Sequence, residues 1–102
     1  DLAKTCLEIL SSKTPDRICS KGKIYHFSNE GVASWYDFAF AIMKLGELNC
    51  KVKPIETKDY LTPAKRPHFS VLNKTKIKND FTIEIPNWKD SLALCISKLN
   101  KK

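Results

Sequence analysis

Between Lys23 and Glu56 the apolar residues change their period twice, and that switch constrains the fold more than any other feature. Residues 23–27 alternate. Tyr25 and Phe27 fall on one face, Ile24 and His26 on the other, which is the two-residue repeat of a strand. From Trp35 the spacing becomes helical, with Trp35, Phe38, Ala39, Ile42 and Met43 on one stripe. Ser34 precedes that stripe and Asp37 lies three positions on. This is a capping box: the hydroxyl accepts a bond from an unpaired first-turn amide, and the carboxylate favours the positive helix end. Gly46 ends the helix. Residues 51–56 return to a strand-like run anchored by Val52 and Ile55, with Pro54 suited to a sheet edge. The strand–helix–strand order predicts the α/β class: a small α+β domain built on a short parallel βαβ unit with a right-handed crossover and flanking helices.

The flanks supply those helices. Leu2, Ala3, Cys6, Leu7 and Leu10 predict a helix over 2–11, and Pro15-Asp16 opens a polar loop after it. Ser28-Asn29-Glu30-Gly31 is turn chemistry. Residues 57–72 read as mostly irregular, with Pro63 and Pro67 bracketing Ala64-Lys65-Arg66. A long ordered loop in a small domain is more often functional than idle. A short helix is expected from Asn73 or Lys74 to about Asn79, and a last helix after Pro86-Asn87, with Trp88, Leu92, Cys95, Ile96 and Leu99 on one face. Trp35, Phe38 and Trp88 lie on these stripes and are read as core rather than as stacking platforms.

A chain of 102 residues that is 42% hydrophobic suits one domain with a thin core. The net charge of +7 raises the possibility of a nucleic-acid-binding domain. The tight basic runs, Lys74-Thr75-Lys76-Ile77-Lys78 and Lys101-Lys102, carry no aromatics placed to stack on bases. The charge is therefore read as a solvated lysine surface, with no nucleic-acid partner. No stretch approaches the ~20 apolar residues of a membrane span, so no membrane partner is expected. Cys6, Cys19, Cys50 and Cys95 are widely spaced without a CxxC, which argues against a zinc knuckle. Cys6 and Cys95 are expected as buried thiols of a reducing cytosol.

Several chemistries lack their motifs. The only glycines are Gly22, Gly31 and Gly46, so there is no glycine-rich dinucleotide loop. A short-chain reductase pairs a tyrosine with a lysine four residues on. Here Tyr25 leads to Asn29, Tyr36 to Phe40 and Tyr60 to Ala64. No P-loop and no GxSxG occurs, and His26 and His68 are far apart. No catalytic, cofactor-binding or metal-ligating residue is assigned.

Three segments taken in order carry a resemblance: GKIYHFSNEGVASWYDFA from Gly22 to Ala39, TPAKRPHFSVLN from Thr62 to Asn73, and IEIPNWKDSL from Ile83 to Leu92. Together they resemble the C-terminal portion of the dTDP-4-dehydrorhamnose reductase family, within the extended short-chain dehydrogenase/reductase superfamily. Asp1-Leu2-Ala3 resembles the start of a helix just upstream. Asn73 stands where that family more often has Asp, and still suits a helix cap. The resemblance implies that residues 1–102 are a C-terminal substrate-binding domain fragment whose N-terminal Rossmann domain is absent. It implies NADPH or NADH, bound by that absent domain, and reduction of dTDP-4-dehydro-L-rhamnose to dTDP-L-rhamnose for cell-surface polysaccharide. Some members bind magnesium at a dimer contact, so a homodimer is a further implied partner, along with a cytoplasmic location. The fragment alone is expected to be inactive. The alternative is a non-catalytic sugar-nucleotide-binding or regulatory module of the same fold.

Candidate substrate contacts follow. Arg66 offers a guanidinium that grips a diphosphate bidentately, preorganised between two prolines; the other reading is an Arg paired with a carboxylate or ordering the loop. Lys65 adds charge or is simply solvated. Ser70 donates to a phosphate or caps a turn. Ser28, Asn29 and Glu30 follow the first expected strand, where ligands of open α/β sheets gather, or form a plain turn.

Overall fold

The computed structural model describes residues 1–12 and 22–100. The expected loop at Pro15-Asp16, Cys19 and the terminal Lys101-Lys102 lie outside the described residues. Four α-helices are present among those described: α1 Leu2–Ser11, α2 Trp35–Leu45, α3 Thr75–Phe81 and α4 Trp88–Leu99, with a 3₁₀ turn at Thr57–Asp59. The chain divides into two compact units. One comprises residues 1–30 and 72–87, the other 31–71 and 88–102.

The expected βαβ unit is not formed. Among the described residues there is no sheet, only an isolated parallel bridge between Glu30 and Asn87. The alternation at 23–27 is physically expressed, since Tyr25 and Phe27 are half-buried while Ile24 and His26 are exposed. What is missing is a ladder. The two expected strands belong to different units, and residues 51–56 run as coil into the 3₁₀ turn. Alternation encodes an extended backbone with two faces, but a strand also needs a neighbour to take its amides and carbonyls.

In the first unit, side chains do part of that work. Lys76 Nζ donates to Ile24 O at 2.8 Å, and Tyr25 Oη donates to Asp80 Oδ2 at 2.8 Å. The Tyr25 ring meets Phe81 edge-on at 5.2 Å, and the Lys76 ammonium sits 4.7 Å from the Tyr25 centroid. Helix α3 thus grips the extended segment. Its start is fixed by Asn73, whose Oδ1 accepts from Thr75 N at 2.9 Å. Its end passes through Thr82 at φ 52°, a left-handed conformation unusual for a β-branched residue. Ile77, 2% exposed, and Ile83 are the buried apolar residues of this unit, and Thr5 and Lys74 are buried with them.

Helix α1 has the expected bounds but turns a different face inward. It buries Thr5 and half-buries Ile9, while Leu2, Cys6, Leu7 and Leu10 face solvent. The pattern shows that a helix is amphipathic; which side finds a partner depends on non-local packing.

In the second unit α2 packs on α4, with Phe38 and Trp88 at 5.9 Å between ring centroids. The capping box forms as expected. Ser34 Oγ accepts from Asp37 N at 3.0 Å and Ser34 N donates to Asp37 Oδ2 at 2.9 Å. Gly46 closes the helix with φ −85°, so its role is clearance: a Cβ there would lie 3.1 Å from Ile42 O. The core here is thinner than the stripes suggested. Leu92 is buried, and Ala39, Ile42, Met43, Trp88 and Ile96 are half-buried. Trp35, expected in the core, is 80% exposed, and Phe38 and Leu99 are also exposed. One helix covers only a narrow strip of another, so flanking stripe positions stay in water. Cys95 is exposed as Cys6 is, contrary to the expectation of buried thiols, and Cys50 is exposed too.

Candidate functional site

The candidate residues fall into two groups, one per unit. In the first unit Ser28, Asn29 and Glu30 lead into a turn of the chain at Gly31, where the backbone bends, and Glu30 forms the isolated bridge with Asn87. Gly31 follows at φ 90°, a value that glycine adopts without the Cβ penalty. Glu30 N donates to Pro86 O at 2.9 Å. The Asn29 amide nitrogen lies 2.6 Å from Asp1 Oδ2 and 3.4 Å from Pro86 O, donating to both.

Glu30 is engaged at both oxygens. Oε1 pairs with Lys78 Nζ at 2.6 Å and Oε2 with Lys74 Nζ at 3.1 Å. The bond from Lys78, then that from Lys74, holds its carboxyl below the usual glutamate range, against a smaller opposing effect of burial. Lys74 Nζ also donates to Asn29 O at 3.1 Å, and Lys74 is only 7% exposed. Ser28 is half-buried. Sequence reasoning passed over Lys74 and Lys78 as charge. Their i, i+4 spacing was the available signal, because it puts two ammoniums on one side of a helix.

Lys65 and Arg66 lie between Pro63 and Pro67 in the second unit, with Ser70 just beyond Pro67, all exposed. Thr62 Oγ1 donates to Ala64 O at 2.9 Å and tightens the turn just before them. None of the ion pairs among the described residues involves Arg66. Its guanidinium is thus open to an external anion, with Tyr60, Leu61 and Phe69 exposed nearby in sequence. The same unit has a cleft lined by Val32, Phe40, Lys44, Trp88 and Lys89, with Asp37 at its edge. There the Lys89 ammonium lies 5.6 Å from the Trp88 ring centroid.

A profile of the RmlD substrate binding domain matches residues 1–101. The chain belongs to this family. Several dTDP-4-dehydrorhamnose reductases are similar to it. That of Aggregatibacter actinomycetemcomitans is 39% identical over 98 residues, covering 90% of this chain and 33% of the relative. That of Burkholderia thailandensis is 34% identical over 84 residues, covering 74% and 28%. The spore coat polysaccharide biosynthesis protein SpsK of Bacillus subtilis is 38% identical over 69 residues, covering 68% and 24%. The RmlD domain described here therefore spans about a third or less of the length of these relatives. The three segments that suggested the family lie within the matched region.

Among the described residues no three His, Cys, Asp or Glu side chains are grouped to hold a metal ion. No helix among them is long and apolar enough to cross a membrane.

Proposed function

We propose that this chain is the substrate-side portion of an NAD(P)H-dependent reductase that converts dTDP-4-dehydro-L-rhamnose to dTDP-L-rhamnose. The observation that carries this reading is the RmlD substrate binding domain match across residues 1–101, with relatives named as that reductase. In this reading the rest of the protein, an N-terminal Rossmann domain, holds NADPH or NADH and the proton donor. This chain binds and orients the sugar nucleotide in the cytoplasm. A homodimer is part of the same reading.

Arg66 is the principal anion contact. A guanidinium fork matches two diphosphate oxygens, and two flanking prolines limit the backbone freedom lost on binding. Its exposure and lack of an ion-pair partner among the described residues support that role. Lys65 adds a second positive charge, and Ser70 and Ser28 offer hydroxyls. Asn29 and Glu30 shape the turn beside Ser28, their side chains being engaged within the protein.

The test uses the full-length reductase that contains this domain. Arg66→Ala should raise KM for the sugar nucleotide about tenfold or more while the fold stays intact. The 102-residue chain alone should oxidise no NADPH above background. Unchanged kinetics in the variant would remove Arg66 from the site. Turnover by the isolated chain would overturn the division of labour. A full-length protein that binds the sugar nucleotide without reducing it would favour the non-catalytic module instead.

A further inference from the structure

Lysine rarely goes into a protein interior, because its ammonium loses hydration unless oxygens replace the water. Lys74 is 7% exposed, and it stands at the N-cap position of α3 without capping that helix through its side chain. Its ammonium is spent elsewhere. One atom, Nζ, reaches two successive residues of the turn: the backbone carbonyl of Asn29 at 3.1 Å and the carboxylate of Glu30 at 3.1 Å. One helical turn later Lys78 takes the other Glu30 oxygen at 2.6 Å. The two lysines thus hold the turn from one side of a short helix. From other directions Pro86 O accepts from Glu30 N, and the Asp1 carboxylate accepts from the Asn29 amide. Extended residues 23–27, which lead into the turn, lack a strand ladder among the described residues. The position of the turn therefore depends on these side-chain bonds together with the backbone bond from Glu30 to Pro86. Ser28, the residue before the clamp, keeps its hydroxyl without a side-chain or backbone partner among the described residues and is half-buried.

We infer that Lys74 is a positioning residue for sugar-nucleotide binding: by fixing the Asn29 carbonyl and the Glu30 carboxylate together, it sets the turn so that the Ser28 hydroxyl meets a polar group of the substrate. The inference rests on the reductase reading above and adds to it a residue that touches no substrate. Lys74 acts through Ser28, so removing either one removes the same contact. The proposed function assigns the nicotinamide cofactor to the rest of the protein, so the effect is expected on the sugar nucleotide.

The experiment is steady-state kinetics of the full-length reductase with dTDP-4-dehydro-L-rhamnose and NADPH. Lys74→Met keeps the length of the side chain and removes the charge. Lys74→Met and Ser28→Ala should each raise KM for the sugar nucleotide about five- to tenfold, with kcat and the KM for NADPH changed less than about twofold. The double variant should be no worse than Lys74→Met alone, because the two effects are one contact counted twice. Lys74→Arg should restore KM to within about threefold of wild type. A milder variant, Glu30→Gln, leaves Lys74 its carbonyl partner and should raise KM about twofold; it keeps the idea testable where Lys74→Met fails to fold. Additive effects in the double variant overturn the inference, as does a wild-type KM in Lys74→Met or, where that variant does not fold, in Glu30→Gln. So does an equal rise in the NADPH KM. A wild-type enzyme that neither binds nor reduces the sugar nucleotide overturns the reductase reading itself, an outcome separate from the others.

Discussion

Replacing Ser34 by alanine isolates one local interaction whose magnitude can be worked out from the structure. The substitution removes the bond that Ser34 Oγ accepts from Asp37 N at 3.0 Å, together with its 2.7 Å contact to Asp37 Oδ2. The reciprocal bond from Ser34 N to Asp37 Oδ2 at 2.9 Å survives, because it uses the backbone. The site is exposed, so water partly replaces the lost acceptor and the cost sits mid-range for an N-cap, about 1 kcal/mol. For a chain of this size that lowers the thermal midpoint by roughly 4–8 °C. The sign of the pH dependence follows from Asp37. Bonds from the Ser34 hydroxyl and then the Ser34 amide hold its carboxyl below its ordinary value of 3.8. A depressed folded value gives stability that is present above the unfolded pKa and is lost as pH falls through the folded one. Alanine removes the larger cause, so the gap between wild type and variant should be full at neutral pH and narrow as the pH falls below that ordinary value. Far-ultraviolet circular dichroism melts at neutral pH and near the acid limit measure both quantities. A variant midpoint within about 1 °C of wild type at neutral pH, or a gap that widens on acidification, would refute the reasoning.

Two further substitutions probe the first unit. Ile77→Ala empties the most buried apolar position and should cost about 2–3 kcal/mol in urea denaturation, the lower part of the range because a thin core can relax around the gap; a loss below about 1 kcal/mol would mean the site is not packed as described. Thr82→Gly relieves a β-branched residue held at φ 52° and should raise stability by about 0.5 kcal/mol, the strain relieved exceeding the chain entropy that glycine adds to the unfolded state; destabilisation in the same assay would show that the Thr82 side chain contributes more than its backbone strain costs.

What could be read from the sequence was local. The ends of α2 were written in Ser34, Asp37 and Gly46, and α1 has the bounds its spacing predicted, because capping and periodicity act within a few residues. The sheet could not be read, because alternation at 23–27 states a backbone shape and not its neighbour. Here the partners of that segment are the side chains of Lys76 and Asp80, more than 50 positions away. The apolar stripes were legible as amphipathic, but not which face would be covered: Thr5 went inward while Leu7 stayed out. The candidate site divides the same way. Arg66 stood out because two prolines frame it. The buried Lys74, 45 positions from Asn29, carried only its spacing from Lys78 as a clue.

The exposed apolar residues bear on how this chain responds to temperature. Leu10 at 78%, Trp35 at 80% and Leu61 at 95% exposure are already hydrated in the folded state, so unfolding brings little new water onto them. The heat-capacity increment of unfolding, ordinarily about 1.2–1.5 kcal/mol/K per 100 residues, grows with the apolar surface newly wetted. It should therefore be small for this chain, giving a broad, shallow stability curve in which both the enthalpy and the entropy of unfolding drift slowly with temperature. Covering those residues with a partner surface would restore the missing increment, and calorimetry would register the covering as a steeper curve.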